Sequence, residues 1–105
     1  MVQYRIAART GDAVLLQLSG ELAHFFRTEQ LRRALEDHFV DDGVKVIRVD
    51  LSPVTFMDSY GVATLVSLLK ESQERGKKFL VEGAQGQVRE KLGVTGVLKV
   101  LQRGT

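Results

Sequence analysis

The hydrophobic period changes once between residues 44 and 75, and that change restricts the folds open to this chain. Over 44–51, Ile47, Val49 and Leu51 alternate with Arg48 and Asp50, the two-residue period of a strand with one buried face. From 59 to about 75, Val62, Leu65, Val66 and Leu69 recur at three- and four-residue spacing, which puts them on one helical stripe. Ser52-Pro53 separates the two segments, and Gly76 is a natural helix stop. A strand followed at once by a helix must fold that helix back onto a sheet to bury both apolar faces.

The flanking segments extend the pattern. Short strands are predicted over 3–8 and 13–18, joined by the turn signal Thr10-Gly11-Asp12, with Val14, Leu16 and Leu18 on one face. Ser19-Gly20-Glu21 is expected to end that hairpin. A helix is predicted over 27–39 from the spacing of Leu31, Ala34, Leu35, His38 and Phe39, with Thr28 as its N-cap and Glu29 in its first turn. Asp41-Asp42-Gly43 reads as a turn. A strand over 79–81, a short helix over 87–92 ending at Gly93, and one more element over 96–101 complete the order β, β, α, β, α, β, α plus a tail. A hairpin followed by alternating strands and helices implies a small mixed sheet covered by helices.

Composition removes several classes of function. At 105 residues the chain has the size of one domain. It lacks Cys, which excludes thiolate metal sites, disulfides and a cysteine nucleophile. Its formal charge is only +2, and basic and acidic residues alternate, as in Arg32-Arg33/Glu36-Asp37 and Arg89-Glu90-Lys91. A nucleic-acid module gathers its cations on one face, so no nucleic-acid partner is expected. The pair Lys77-Lys78 is read as solvated. No apolar run approaches the ~20 residues of a membrane span. The opening Met1-Val2-Gln3-Tyr4-Arg5 has no signal-peptide pattern, so a cytoplasmic location without membrane insertion is expected.

Catalytic signals are equally sparse. His24 has no carboxylate or second His at ligand spacing, and His38 lies on the helix stripe as a partly buried structural residue. Neither a metal site nor a cofactor is expected. Gly83-Ala84-Gln85-Gly86 lacks a following Lys-Ser/Thr and reads as a turn rather than a phosphate cradle. With no nucleophile and base at recognisable spacing, the chain is expected not to be an enzyme.

The informative stretch is Val49-Asp50-Leu51-Ser52-Pro53-Val54-Thr55-Phe56-Met57-Asp58-Ser59-Tyr60-Gly61. It runs from a strand through a Pro turn and an apolar segment into a helix. Asp58-Ser59 falls where helix caps belong, and Gly61 keeps the first turn thin. Capping alone accounts for such a pair. The same placement also exposes a hydroxyl at a helix N-terminus, where an added phosphoryl group, carrying about −1.5 to −2 charge, is tolerated by the helix dipole.

These residues resemble a known family. Val49-Asp50-Leu51-Ser52 followed by Phe56-Met57-Asp58-Ser59-Tyr60-Gly61 is similar to the signature of STAS domains, specifically bacterial anti-sigma factor antagonists. Leu18-Ser19-Gly20-Glu21-Leu22 resembles the family's Gly-Glu-Leu-Asp turn. Gln87-Val88-Arg89-Glu90-Lys91-Leu92 with Val94-Thr95-Gly96-Val97 resembles its C-terminal pattern. The resemblance implies an α/β fold in one STAS domain over 1–105, with a mixed sheet of four to five strands covered by about four helices. It implies that Ser59 is a phosphoacceptor and that Glu21, Ala23, Asp58, Ser59, Tyr60 and Gly61 form the partner-binding region. The implied partners are an anti-sigma factor with serine kinase activity, bound by the unphosphorylated protein to release a sigma factor, and a serine phosphatase that resets the switch. Ala23 stands where the family usually has Asp, and Tyr60 where a second small hydroxyl residue is common. The alternative is a STAS subunit regulating a membrane transporter, such as a lipid-transport ATPase, or another STAS signalling scaffold.

Overall fold

In the computed structural model of the chain, residues 3–23 and 28–94 are described. β1 (Gln3–Thr10) and β2 (Ala13–Leu22) form the expected antiparallel hairpin, turning at Gly11 with φ 59°. α1 (Thr28–Val40), β3 (Val46–Asp50), β4 (Val54–Met57), α2 (Ser59–Glu74), β5 (Lys78–Glu82) and α3 (Gly86–Val94) follow. The five strands form a mixed sheet in the order β1-β2-β3-β5, with β4 paired to β2 off that path. β2–β3 and β3–β5 are parallel, as connections through helices require.

Register builds the core in rows. Val14, Ile47 and Phe79 pair across three strands, and Leu16, Val49 and Val81 form the next row. All six are buried, together with Leu31, Leu35 and Phe39 of α1, Leu65 and Leu68 of α2, and Val88 and Leu92 of α3. Each such aliphatic or aromatic side chain contributes roughly 1.5–3 kcal/mol by leaving water. The opposite face carries polar residues instead. There Arg5 Nε donates to Gln17 Oε1, and Gln17 Nε2 donates to Asp50 Oδ2, each at 3.0 Å. Arg48 pairs with Glu82 at 2.9 Å on the same face.

Several expectations are corrected. β2 does not end at Leu18. Gly20, at φ 85°, lets it bend and change partner, so residues 13–17 pair with β3 and residues 20–22 with β4. β4 itself lies in what reads as an apolar connection, because its buried, exposed, exposed, buried order has no two-residue period. On α2, Val66 is only half-buried and Leu68 takes its place in the core. Thr28 is the first helical residue of α1 rather than the cap before it. Lys77 is not solvated: it is 7% exposed, and its Nζ donates to the carbonyls of Asp41 and Val44 at 2.8 and 2.7 Å. Three helices occur among the described residues, one fewer than expected. The element expected over 96–101 lies outside them, as do His24, Thr95, Gly96 and Val97.

Candidate functional site

The site begins where β2 and β4 run side by side. Glu21 is registered with Phe56, and Leu22 with Met57. Glu21 is exposed, and the Phe56 ring is 38% exposed at the surface instead of filling the core. Met57 is fully buried, anchoring the end of β4. Immediately after it the chain stays extended at Asp58, with φ −115° and ψ −170°, and then enters α2.

Asp58 is the N-cap of that helix. Its Oδ1 accepts the backbone N–H groups of Tyr60 at 2.9 Å and Gly61 at 3.1 Å, and its carbonyl accepts from the Val62 N–H at 3.1 Å. These bonds occupy two donors that a helix start otherwise leaves orphaned. The Asp58 N–H reaches back to the Leu22 carbonyl at 3.4 Å, tying the cap to β2. Because the carboxylate is engaged below, the side chains at the first two helical positions point elsewhere. Ser59 and Tyr60 are exposed, Tyr60 at 61%. The Ser59 hydroxyl makes no hydrogen bond among the described residues.

Glu21, Asp58, Ser59 and Tyr60 thus gather at one end of the sheet, with Gly61 beneath them. Gly61 is buried and contributes shape, since a Cβ there would run into the Leu22 carbonyl oxygen. Ala23 follows Leu22 and is 9% exposed, so it too faces inward. No acidic residue occupies the first turn of α2. An anion added at Ser59 would meet the favourable helix dipole, with Asp58 as the neighbouring carboxylate.

Two features of the site have no counterpart in the sequence patterns. Phe56 belongs to an apolar segment, and nothing in that run marks it as exposed. Gln87 lies at the start of a short predicted helix, yet its carboxamide bonds to the main chain of Met57. Its distance of thirty residues along the chain leaves no local signal for that contact.

Comparisons with known proteins bear on the family and the fold. The family model of the STAS domain matches residues 4–104. The anti-sigma-B factor antagonist of Listeria monocytogenes serovar 1/2a is 25% identical over 101 residues, covering 96% of this chain and 87% of that protein. Among solved structures, the Bacillus anti-sigma factor antagonist SpoIIAA shares the fold in both of its forms. The unphosphorylated form has a TM-score of 0.75 at 23% identity, covering 92% of this chain and 84% of that one. The phosphorylated form has a TM-score of 0.70 at 22% identity, covering 95% and 88%. The STAS domain of a SulP transporter from Vibrio cholerae is 29% identical with a TM-score of 0.67, covering 87% and 68%.

Proposed function

The chain belongs to the STAS domain family, and from that premise we propose that it is an anti-sigma factor antagonist switched by phosphorylation of Ser59. The unphosphorylated protein binds an anti-sigma factor that is also a serine kinase, and its binding frees a sigma factor. The kinase transfers the γ-phosphoryl group of ATP to Ser59 Oγ, which loses its proton as ADP leaves. The modified protein dissociates, and a serine phosphatase restores the hydroxyl by hydrolysis. In this cycle the chain is substrate and binding partner and performs no catalysis.

One observation carries the proposal: the Ser59 hydroxyl is exposed, and unpartnered among the described residues, at the first position of a helix whose cap is made by the preceding residue. A hydroxyl needed for capping would be occupied, and here Asp58 leaves Ser59 spare. Tyr60 follows it in the chain, and Glu21 and Phe56, registered on β2 and β4, are exposed near the entry to α2, so a partner that docks there senses the charge at Ser59. Ala23 and Gly61 shape the same surface from beneath. The antagonist of Listeria supports the role by its similarity across almost the whole chain.

The test is intact mass after incubation with an anti-sigma factor kinase of the same organism and ATP. The wild type gains one phosphoryl group and Ser59→Ala gains none. No gain in the wild type, or an equal gain in the variant, contradicts the assignment. The likeness to a transporter STAS domain supports the second reading, a transporter-linked regulator. Copurification separates the two, through an anti-sigma factor in one case and a transporter subunit in the other.

A further inference from the structure

Among the described residues, β4 pairs with one strand only, β2. The segment between β5 and α3 fastens the same stretch of chain from elsewhere. Gly83, at φ +78°, packs so closely on the β3–β4 connection that a Cβ would lie 2.6 Å from Asp50 Oδ1 and 3.0 Å from the Ser52 nitrogen. Gln85 Nε2 donates to the Ser52 carbonyl at 3.2 Å. Gln87 makes the most specific contact. Its Oε1 accepts from the Met57 N–H at 2.9 Å, and its Nε2 donates to the Met57 carbonyl at 2.8 Å. A carboxamide carries the same donor and acceptor as a peptide group, so Gln87 bonds to Met57 as a neighbouring strand would.

We propose that Gln87 is a positioning residue for the Asp58–Gly61 turn, linking α3 to the conformation in which Ser59 is presented; its bearing on phosphorylation rests on the function proposed above. Both main-chain polar groups of the residue before Asp58 are held by this one side chain. The link from Asp58 to β2 is longer, at 3.4 Å, so the shorter restraint comes from α3. α3 is itself fixed, because Val88, next to Gln87, and Leu92 are fully buried. Displacing α3 therefore pulls on Met57, and loosening Met57 loosens the cap that orders the acceptor turn. Coupling of this kind is reciprocal, so a change at the turn is felt at α3.

The experiment is residue-resolved amide hydrogen exchange on the full chain, comparing wild type, Gln87→Ala and Gln87→Glu. Losing one satisfied hydrogen-bonding partner speeds local opening by about tenfold. In Gln87→Ala the amides of Met57, Tyr60 and Gly61 are expected to exchange about tenfold faster, while those of Val49 and Val81 are unchanged. Gln87→Glu keeps the acceptor for the Met57 N–H but has no donor for its carbonyl. It is expected to restore protection at Met57 in part and to leave Tyr60 and Gly61 faster than wild type. Unchanged exchange at Tyr60 and Gly61 in both variants overturns the proposal, as does a uniform increase that includes Val49 and Val81, which marks a general loss of stability. This measurement needs no kinase, so it judges Gln87 even if Ser59 proves never to be phosphorylated.

Discussion

Gly61 lies with its bare α-carbon against the carbonyl oxygen of Leu22, so the first turn of α2 rests directly on the end of β2. A Cβ at this position would collide with that oxygen and sit 2.7 Å from Met57 Cγ. Ala is favoured over Gly inside a helix by about 1 kcal/mol. Overpacking costs about 1–3 kcal/mol, and more where backbone must move. The steric cost is expected to win. Gly61→Ala should lower stability by roughly 1–2 kcal/mol in urea unfolding. A stabilised variant would show that the turn has room to retreat from β2.

The cap gives a second prediction. Asp58→Ala removes the acceptor for the Tyr60 and Gly61 N–H groups and should cost about 1 kcal/mol. Asp58→Asn retains a capping oxygen and should stay within a few tenths of a kcal/mol of wild type. The Asn variant removes only the charge beside Ser59. Slower phosphorylation of a fully stable Asp58→Asn protein is expected from kinase assays, and an unchanged rate means that Asp58 serves the helix alone.

The helix stripe offers a third. Leu65 is fully buried, so Leu65→Ala should cost ~2–5 kcal/mol in denaturant unfolding. Val66 is half-buried on the same helix, and Val66→Ala should cost only about 1 kcal/mol. Equal losses at the two positions would contradict the packing of α2 against the sheet.

These positions also show which parts of the structure are legible in the sequence. Val14, Leu16 and Leu18, Ile47, Val49 and Leu51, and the stripe through Leu65 and Leu69 all declare their burial by period, because one face of each element meets the core. β4 does not, since four residues with both ends buried carry no period. Val66 departs from its period for a related reason: a stripe wider than the contact leaves its margin half-wet. The Asp58 cap is local and readable, being made within three residues. Lys77 and Gln87 are not, because their partners lie more than thirty and thirty residues away respectively, and only the finished fold brings them together. The exposure of Ser59 at the first helical position depends on Asp58 taking the capping role.

Asp50 sets a pH dependence. Its partial burial opposes ionisation, but hydrogen bonds from the Ser52 hydroxyl, the Gln17 carboxamide and the Ser52 N–H outweigh that and hold its pKa below the ordinary 3.8. A carboxyl whose folded pKa is depressed stabilises the fold fully above its unfolded value, and loses that contribution as pH falls through the folded one. Asp50→Asn should therefore be less stable than wild type by a constant amount at neutral pH. The difference should shrink only below about pH 4. Thermal unfolding across pH checks this, and a gap that persists undiminished into strong acid contradicts it.

The direct test of the switch is calorimetric titration of the anti-sigma factor with unmodified protein, Ser59→Ala, Ser59→Asp and Ser59-phosphorylated protein, with folding confirmed by circular dichroism. Ser59→Ala removes one exposed hydroxyl and should bind like wild type. Phosphorylation places a doubly charged group in the docked surface and should weaken binding by ~1–4 kcal/mol, because the anion must be desolvated there. Ser59→Asp carries less charge and fewer acceptor oxygens, so its loss should be smaller. Tight binding by the unmodified protein with a loss of roughly 5- to 1,000-fold on phosphorylation is the predicted result. Equal affinity for the unmodified and phosphorylated forms would contradict it and leave a binding module without a switch.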